Sequence, residues 1–176
     1  MLDFEANCVN KGSLKCQEII EFPVVPVNLK TKEIMTDKIF HYYIKPHVVP
    51  ELTDFCTELT GITQNMVGNA ISLEKGLVAF EKWKKIHGFD KSNSVFVTCG
   101  DWDLKTCLKN EAVYKNITYD SHFKEWANLK LLFQSCSGKK TGSMTGMLKY
   151  FELELVGKQH SGIDDSKNIA RILVEM

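Results

Sequence analysis

Three stretches of the 176-residue chain carry acids at spacings that could hold a cation. The first is Met1-Leu2-Asp3-Phe4-Glu5-Ala6-Asn7-Cys8-Val9, where Asp3 and Glu5 stand at i and i+2 of an otherwise apolar run. In a β-strand this spacing puts both on one face, roughly 6.7 Å apart along the strand. At an effective dielectric of 20, two negative charges at that separation repel by about 2–3 kcal/mol. Either the pair faces water on an edge strand, or positive charge sits between them, and the second arrangement needs partners from elsewhere. Thr98-Cys99-Gly100-Asp101-Trp102-Asp103-Leu104 offers acids where a strand ends and a helix begins, the end of an open α/β sheet at which sites form. One of them suffices for a site; Asp101 is expected to cap the helix, leaving Asp103. His160-Ser161-Gly162-Ile163-Asp164-Asp165-Ser166 sets a histidine ahead of a glycine and two acids at a helix start. Asp164 is expected as the N-cap and Asp165 at the site. An imidazole, whose ordinary pKa is about 6.5, suits a general base near neutral pH when it stands beside such a cluster.

Four carboxylates and a histidine fit one reaction type. Oxygen ligands favour magnesium or manganese over zinc or copper. Two such ions about 3.5–4 Å apart can hold a phosphodiester, activate water on one side and stabilise the leaving oxygen on the other.

The elements that must position these residues read as strands first, then helices alternating with a strand. After the first strand and a turn at Lys11-Gly12-Ser13, Glu18 to Leu29 is β-branched, with Pro23 and Pro26 placing it at a sheet edge or bulge. A turn at Thr31-Lys32 leads to a third strand, Lys38 to Lys45, and the three form a meander. Pro46 and Pro50 end that run, and Leu59-Thr60-Gly61-Ile62-Thr63 reads as a helix end followed by a capped start. Ser72 to His87 repeats Leu73, Leu77, Phe80, Trp83 and Ile86 at helical spacing, with Ser72 as N-cap. Ser94 to Cys99 is a short strand, followed by a helix from Trp102. Trp126, Leu129, Leu132 and Phe133 predict a helix within Phe123 to Cys136. Ser135 to Ser143 is expected to be the most flexible loop, Met147 to Leu155 a short helix, and Asp164 to Met176 the last helix. The fold class is therefore a mixed α/β sheet flanked by helices, in one domain, 1–176.

Composition narrows the class without naming a partner. Lysine plus arginine and aspartate plus glutamate balance at 22 each, so net charge makes no case for nucleic acid, although a local basic groove stays open. Candidate basic surfaces at Lys82-Trp83-Lys84-Lys85, Lys105 with Lys109, and Lys139-Lys140 read first as solvated faces. The six cysteines form no C-x-x-C pair, which speaks against a zinc module or a disulfide framework and for free thiols in a reducing compartment, cytoplasmic and/or nuclear. Asn116-Ile117-Thr118 fits a glycosylation sequon by chance. No apolar run approaches membrane-spanning length. With only Met1 and Leu2 before Asp3, a boundary or a missing leader is expected upstream.

Asp3-Phe4-Glu5-Ala6, Cys99-Gly100-Asp101-Trp102-Asp103 and His160-Ser161-Gly162-Ile163-Asp164-Asp165-Ser166-Lys167-Asn168-Ile169-Ala170 resemble the three motifs of the DEDDh 3′→5′ exonucleases. Phe55-Cys56-Thr57-Glu58-Leu59-Thr60-Gly61-Ile62-Thr63 and Asp164-Asp165-Ser166-Lys167-Asn168 are similar to strings of the branch that includes the histone-mRNA 3′ exonuclease and the enhanced-RNAi ribonuclease. The resemblance covers nearly the whole chain. It implies a ribonuclease-H-like mixed sheet, and Asp3, Glu5, Asp103 and Asp165 as ligands of two Mg2+, with Mn2+ able to substitute. It also implies His160 as the base, with Asp101 and Asp164 outside the ligand set. Leu59, Thr60 and Gly61 are implied to border the terminal nucleotide, with Phe4 and Trp102 as further substrate contacts. Asn7 stands where the branch usually has threonine, which bears on fine substrate positioning. The implied activity is removal of nucleoside 5′-monophosphates from RNA 3′ ends, single-stranded or with a short overhang. The alternatives are single-stranded DNA as substrate and a silent module that only holds RNA ends.

Overall fold

The computed structural model describes residues 1–176. Its sheet grows from β1 (Glu5–Ala6), β2 (Ile19–Val24) and β5 (Phe40–Tyr43), antiparallel in the order β1-β2-β5. A small hairpin of β3 (Val27–Asn28) and β4 (Glu33–Ile34), turning at Thr31-Lys32, is inserted between β2 and β5. The first strand is shorter than the apolar run suggests: regular pairing covers Glu5 and Ala6, with a register shift between them and an isolated bridge from Leu2 to Val24.

The prolines do not put β2 at an edge. It is the middle strand, all six residues buried, and the pairs Phe22–Tyr42 and Val24–Phe40 flank Pro23 opposite His41. One missing N–H is offset by burial on both sides, and Pro26 falls just past the strand, where its carbonyl accepts from Met35.

Helices cover both faces. After α1 (Asp54–Thr60) and α2 (Gln64–Gly68) comes α3 (Leu73–His87), with Ser72 as N-cap accepting from the Lys75 N–H. Strand β6 (Phe96–Thr98) leads into a π-helical turn, Trp102–Leu108, that continues as α4 (Lys109–Lys115). Then β7 (Trp126–Asn128) pairs parallel with β6. This corrects the helix expected from Phe123: Trp126 lies on a strand, and helix α5 (Leu129–Ser137) begins after Asn128, whose side chain caps it. The helical spacing of Trp126 with Leu129 is overridden by pairing with Phe96. Helix α6 (Met144–Tyr150) starts earlier than expected, at a Ser143 cap, and α7 (Gly162–Glu175) closes the chain. No helix is long and apolar enough to cross a membrane.

The Leu2 N–H donates to the Val97 carbonyl at 3.0 Å, joining the residues ahead of β1 to β6. Strand alternation then sorts the core. Leu2, Phe4, Phe22, Phe40 and Phe96 pack with Leu77 and Phe80 of α3 on one side, whereas Val25 and Val97 pack with α5, α6 and α7 on the other. All six cysteines are free thiols. Lys84, expected on a solvated face, is instead buried and paired with Glu81 at 2.8 Å and Asp120 at 3.3 Å.

Candidate active site

Because Leu2, Phe4 and Ala6 are taken by the core on the α3 side, the alternation turns Asp3 and Glu5 to the opposite face, toward Asp165 of α7. Asp103 comes from the π-helical turn, a geometry that often marks functional sites. It is buried, and its Oδ1 accepts the Phe4 N–H at 2.8 Å, tying the second acidic motif to the first. Asp165 lies in the first turn of α7, also buried; its Oδ2 accepts the His160 N–H at 2.9 Å. His160 is exposed and sits at φ +64°, a left-handed conformation that costs a non-glycine residue about 1–3 kcal/mol. Ligand atoms of Glu5, His160 and Asp165 lie within 4.8 Å of one another. Gly162 permits this approach: a methyl group there would lie 2.6 Å from the Asp3 carbonyl oxygen.

The cluster is electrostatically unbalanced. Burial, then the charges of Asp103, Glu5, Asp165 and Glu21, raise Asp3 well above the ordinary carboxylate range. Burial, then Glu21, Asp165 and Asp103, push Glu5 up to about 9, with Lys158 pulling weakly the other way. Burial also raises Asp103, against the Phe4 N–H and Lys130, and Asp165, against the His160 N–H and ring. The Asp165 Oδ1 is buried without a hydrogen-bond partner. The field that gives these carboxylates their proton affinity attracts any cation, and a set of hard oxygen donors with an orphaned buried oxygen fits a divalent ion such as magnesium or manganese.

Several expectations are redrawn. The Phe4 side chain is withdrawn into the core, its ring 5.0 Å from that of Phe22, so that only its backbone serves the site. Thr60 is buried, donating to the Cys56 carbonyl and accepting from Ile62. Leu59 is half-buried, and Gly61, the left-handed C-cap of α1, is exposed, as is Trp102. Asn7 points inward, accepting from the Glu18 N–H at 2.7 Å and donating to the Val49 carbonyl, so its amide holds the fold. Asp101 caps nothing; it accepts from Trp126 Nε1 at 2.9 Å and Asn128 Nδ2 at 3.1 Å. Asp164 is not the N-cap either, because α7 begins two residues earlier and its carboxylate accepts from the Lys158 N–H. Three groups at the site were not read from the sequence: Glu21, Lys130 and Lys158, whose Nζ donates to the Glu58 carbonyl at 2.9 Å beside Gly61. A lone acid inside the apolar run Ile19-Ile20-Glu21-Phe22 was the available signal for the first.

A mixed sheet with helices on both faces, with acids from its first strand, a strand end and the last helix converging beside a histidine, is the arrangement of a ribonuclease-H-like fold. Comparison with known proteins gives the family. The chain belongs to the RNase T exonuclease family, which it matches over residues 1–173. It is 45% identical over 177 residues to ERI1 exoribonuclease 3 of Homo sapiens, covering 98% of this chain and 51% of that protein. It is 37% identical over 191 residues to the 3′-5′ exonuclease Snipper of Drosophila melanogaster, covering 99% and 67%. The structure of the nuclease domain of 3′hExo, a DEDDh family member bound to rAMP, superposes with a TM-score of 0.93 at 34% identity, over 99% of this chain and 88% of that one. The chain thus spans about half the length of the ERI1 exoribonuclease 3 relatives it matches. Membership of this family implies metal-dependent catalysis.

Proposed function

We propose that residues 1–176 form one exonuclease domain that hydrolyses phosphodiester bonds at RNA 3′ ends and releases nucleoside 5′-monophosphates inside the cell. The observation that carries this reading is the convergence of Asp3, Glu5, Asp103 and Asp165 on one face with His160 beside them. The four carboxylates would hold two Mg2+, or Mn2+ in their place. Bound there, such ions supply the positive charge that acidifies water and offsets charge on the phosphodiester and its leaving oxygen.

The chain's own residues do the rest. The Phe4 N–H fixes one Asp103 oxygen, and the His160 N–H fixes one Asp165 oxygen, leaving Asp165 Oδ1 for a ligand. A ring nitrogen of His160 takes the proton from the attacking water, from a position within 4.8 Å of the Glu5 and Asp165 oxygens. Leu59 and Gly61 at the end of α1, and Trp102 at the π-helical turn, are the proposed contacts of the terminal nucleotide, on a strand that is single or has a short overhang. RNA as substrate is supported by relatives named exoribonucleases and by the rAMP bound to 3′hExo.

The test is product analysis with 5′-labelled single-stranded RNA and its DNA counterpart, with Mg2+ and with chelator. A ladder shortening from the 3′ end of RNA, lost with chelator, is expected. An equal DNA ladder would remove the RNA preference. No ladder with either polymer, from folded and metal-loaded protein, would favour a module that only holds RNA ends.

A further inference from the structure

Glu21 lies directly across the sheet from Glu5, the pair being in register between β1 and β2, and only 1% of it is exposed. Its carboxylate nevertheless has a different use from those of the four acids. Oε2 accepts the Gly162 N–H at 2.8 Å, and Oε1 accepts the Ile163 N–H at 3.2 Å and is 2.7 Å from His41 Nε2. These amides open α7, and Ser161, in the N-cap position, makes no side-chain cap bond. An acid from a neighbouring strand therefore does the work of the missing cap, satisfying two orphan N–H groups and complementing the helix dipole.

The segment so held is the one that matters chemically. Asp165 follows Ile163 by two residues, its N–H donating to the Ser161 carbonyl at 2.8 Å, and its Oδ2 holds the strained His160 backbone. We propose that Glu21, steadied by His41, is a positioning residue that clamps the first turn of α7 and thereby sets Asp165 and His160; as a role in catalysis this rests on the exonuclease reading above. With both oxygens committed to the two amides and to His41, Glu21 acts through the segment those amides open.

Reach and charge can be separated. Glu21→Asp keeps the charge but shortens the side chain by one methylene, so the α7 amides fall out of range, whereas Glu21→Gln keeps the reach and an oxygen for Gly162. With 5′-labelled RNA, Glu21→Asp is expected to lose about 10- to 100-fold in kcat, with KM within about twofold, and a similar factor in Mg2+ affinity by calorimetry, whereas Glu21→Gln stays within about fivefold on each. Hydrogen exchange gives a readout independent of turnover. The Gly162 and Ile163 amides should be protected at least roughly tenfold in the unaltered protein and lose that protection in Glu21→Asp. If the unaltered protein degrades neither RNA nor DNA, the exonuclease reading fails, and the clamp stands or falls on exchange and Mg2+ affinity. Wild-type kcat in Glu21→Asp, or a larger loss in Glu21→Gln than in Glu21→Asp, would overturn the proposal. Unprotected amides in the unaltered protein would do so even if Glu21→Asp did not fold.

Discussion

Two groups of acids lie beside the first two strands, and they are built in opposite ways. Glu18, just before β2, is completely buried. It accepts the N–H groups of His47, Val48 and Val49 at 2.7–3.0 Å and meets Lys115 Nζ at 2.7 Å. Glu111 of α4 accepts the Ile19 N–H at 2.7 Å and shares the same lysine at 2.6 Å. Every oxygen in that group has a partner, and burial, which alone would raise Glu18, is outweighed by Lys115 and the three amides, so that Glu18 lies below its ordinary range. The Asp3, Glu5, Asp103 and Asp165 group has no such internal cation. All four are raised, and Asp165 Oδ1 has no partner. Acids that hold the fold together are satisfied within it; the acids proposed as metal ligands are left wanting a cation.

The largest effect should come from removing a site acid. Asp3→Ala or Asp165→Ala is expected to abolish the RNA ladder while leaving the metal-free melting temperature unchanged or higher, since each deletion relieves repulsion. Full activity in either would break the contrast. His160→Ala should keep Mg2+ binding and slow turnover by about 10²–10⁴. Lys115→Ala should do the reverse. Stripping the only lysine from two buried carboxylates costs about 3–5 kcal/mol, roughly 6–20 °C in melting temperature for a chain of this size, with activity per folded molecule retained. A melt within about 2 °C of wild type would mean the two groups are not so different.

Their pH dependences should have opposite sign. Folded, metal-free protein holds a proton on Glu5 up to about pH 9, whereas an ordinary glutamate loses it near 4.5. Raising the pH through that window therefore costs the metal-free fold stability, and Mg2+, which takes the proton's place, should raise the melting temperature more at pH 8.5 than at pH 6, two values roughly spanning the upper part of the window. Glu18 works the other way: its contribution is present above about 4.5, the ordinary glutamate value, and is lost as the pH falls through its lowered value. An Mg2+ gain equal at both pH values would show that repulsion within the site is relieved without metal.

The periodicities that were easiest to read are those that burial enforces directly. The alternation of Leu2, Phe4 and Ala6 with Asp3 and Glu5 appears as read, and so does the apolar stripe of α3 through Leu73, Leu77, Phe80 and Trp83, whereas Ile86 at its end is exposed. Local rules failed where a distant partner decides. Pro23 sits in a central strand because β1 and β5 bury it from both sides, and Trp126 is drawn into β7 by β6. The four acids that the structure brings together were legible because their residue types and spacing mark each of them locally. Glu21 and Lys158 were not, because what they touch, the first turn of α7 and the end of α1, is 141 and 100 residues away in sequence.

The finest form of the comparison lies within one motif. Asp101 and Asp103 are two residues apart, and the choice between them rested on a helix cap that the structure does not contain. What separates them is direction. Asp103 is buried on the β1 side, bound to the Phe4 N–H, whereas Asp101 is exposed and turned to β7, where the indole of Trp126 and the amide of Asn128 donate to one of its oxygens. Because Asn128 also caps α5 through its Oδ1, Asp101 braces that cap. Asp101→Ala should therefore cost about 1 kcal/mol of stability, the scale of an exposed hydrogen-bonded pair, and leave turnover within about threefold. Asp103→Ala should abolish turnover, as is expected of Asp3→Ala and Asp165→Ala. A loss in Asp101→Ala as deep as in Asp103→Ala would place both acids in the working group and erase the line drawn between an acid that braces and an acid that binds.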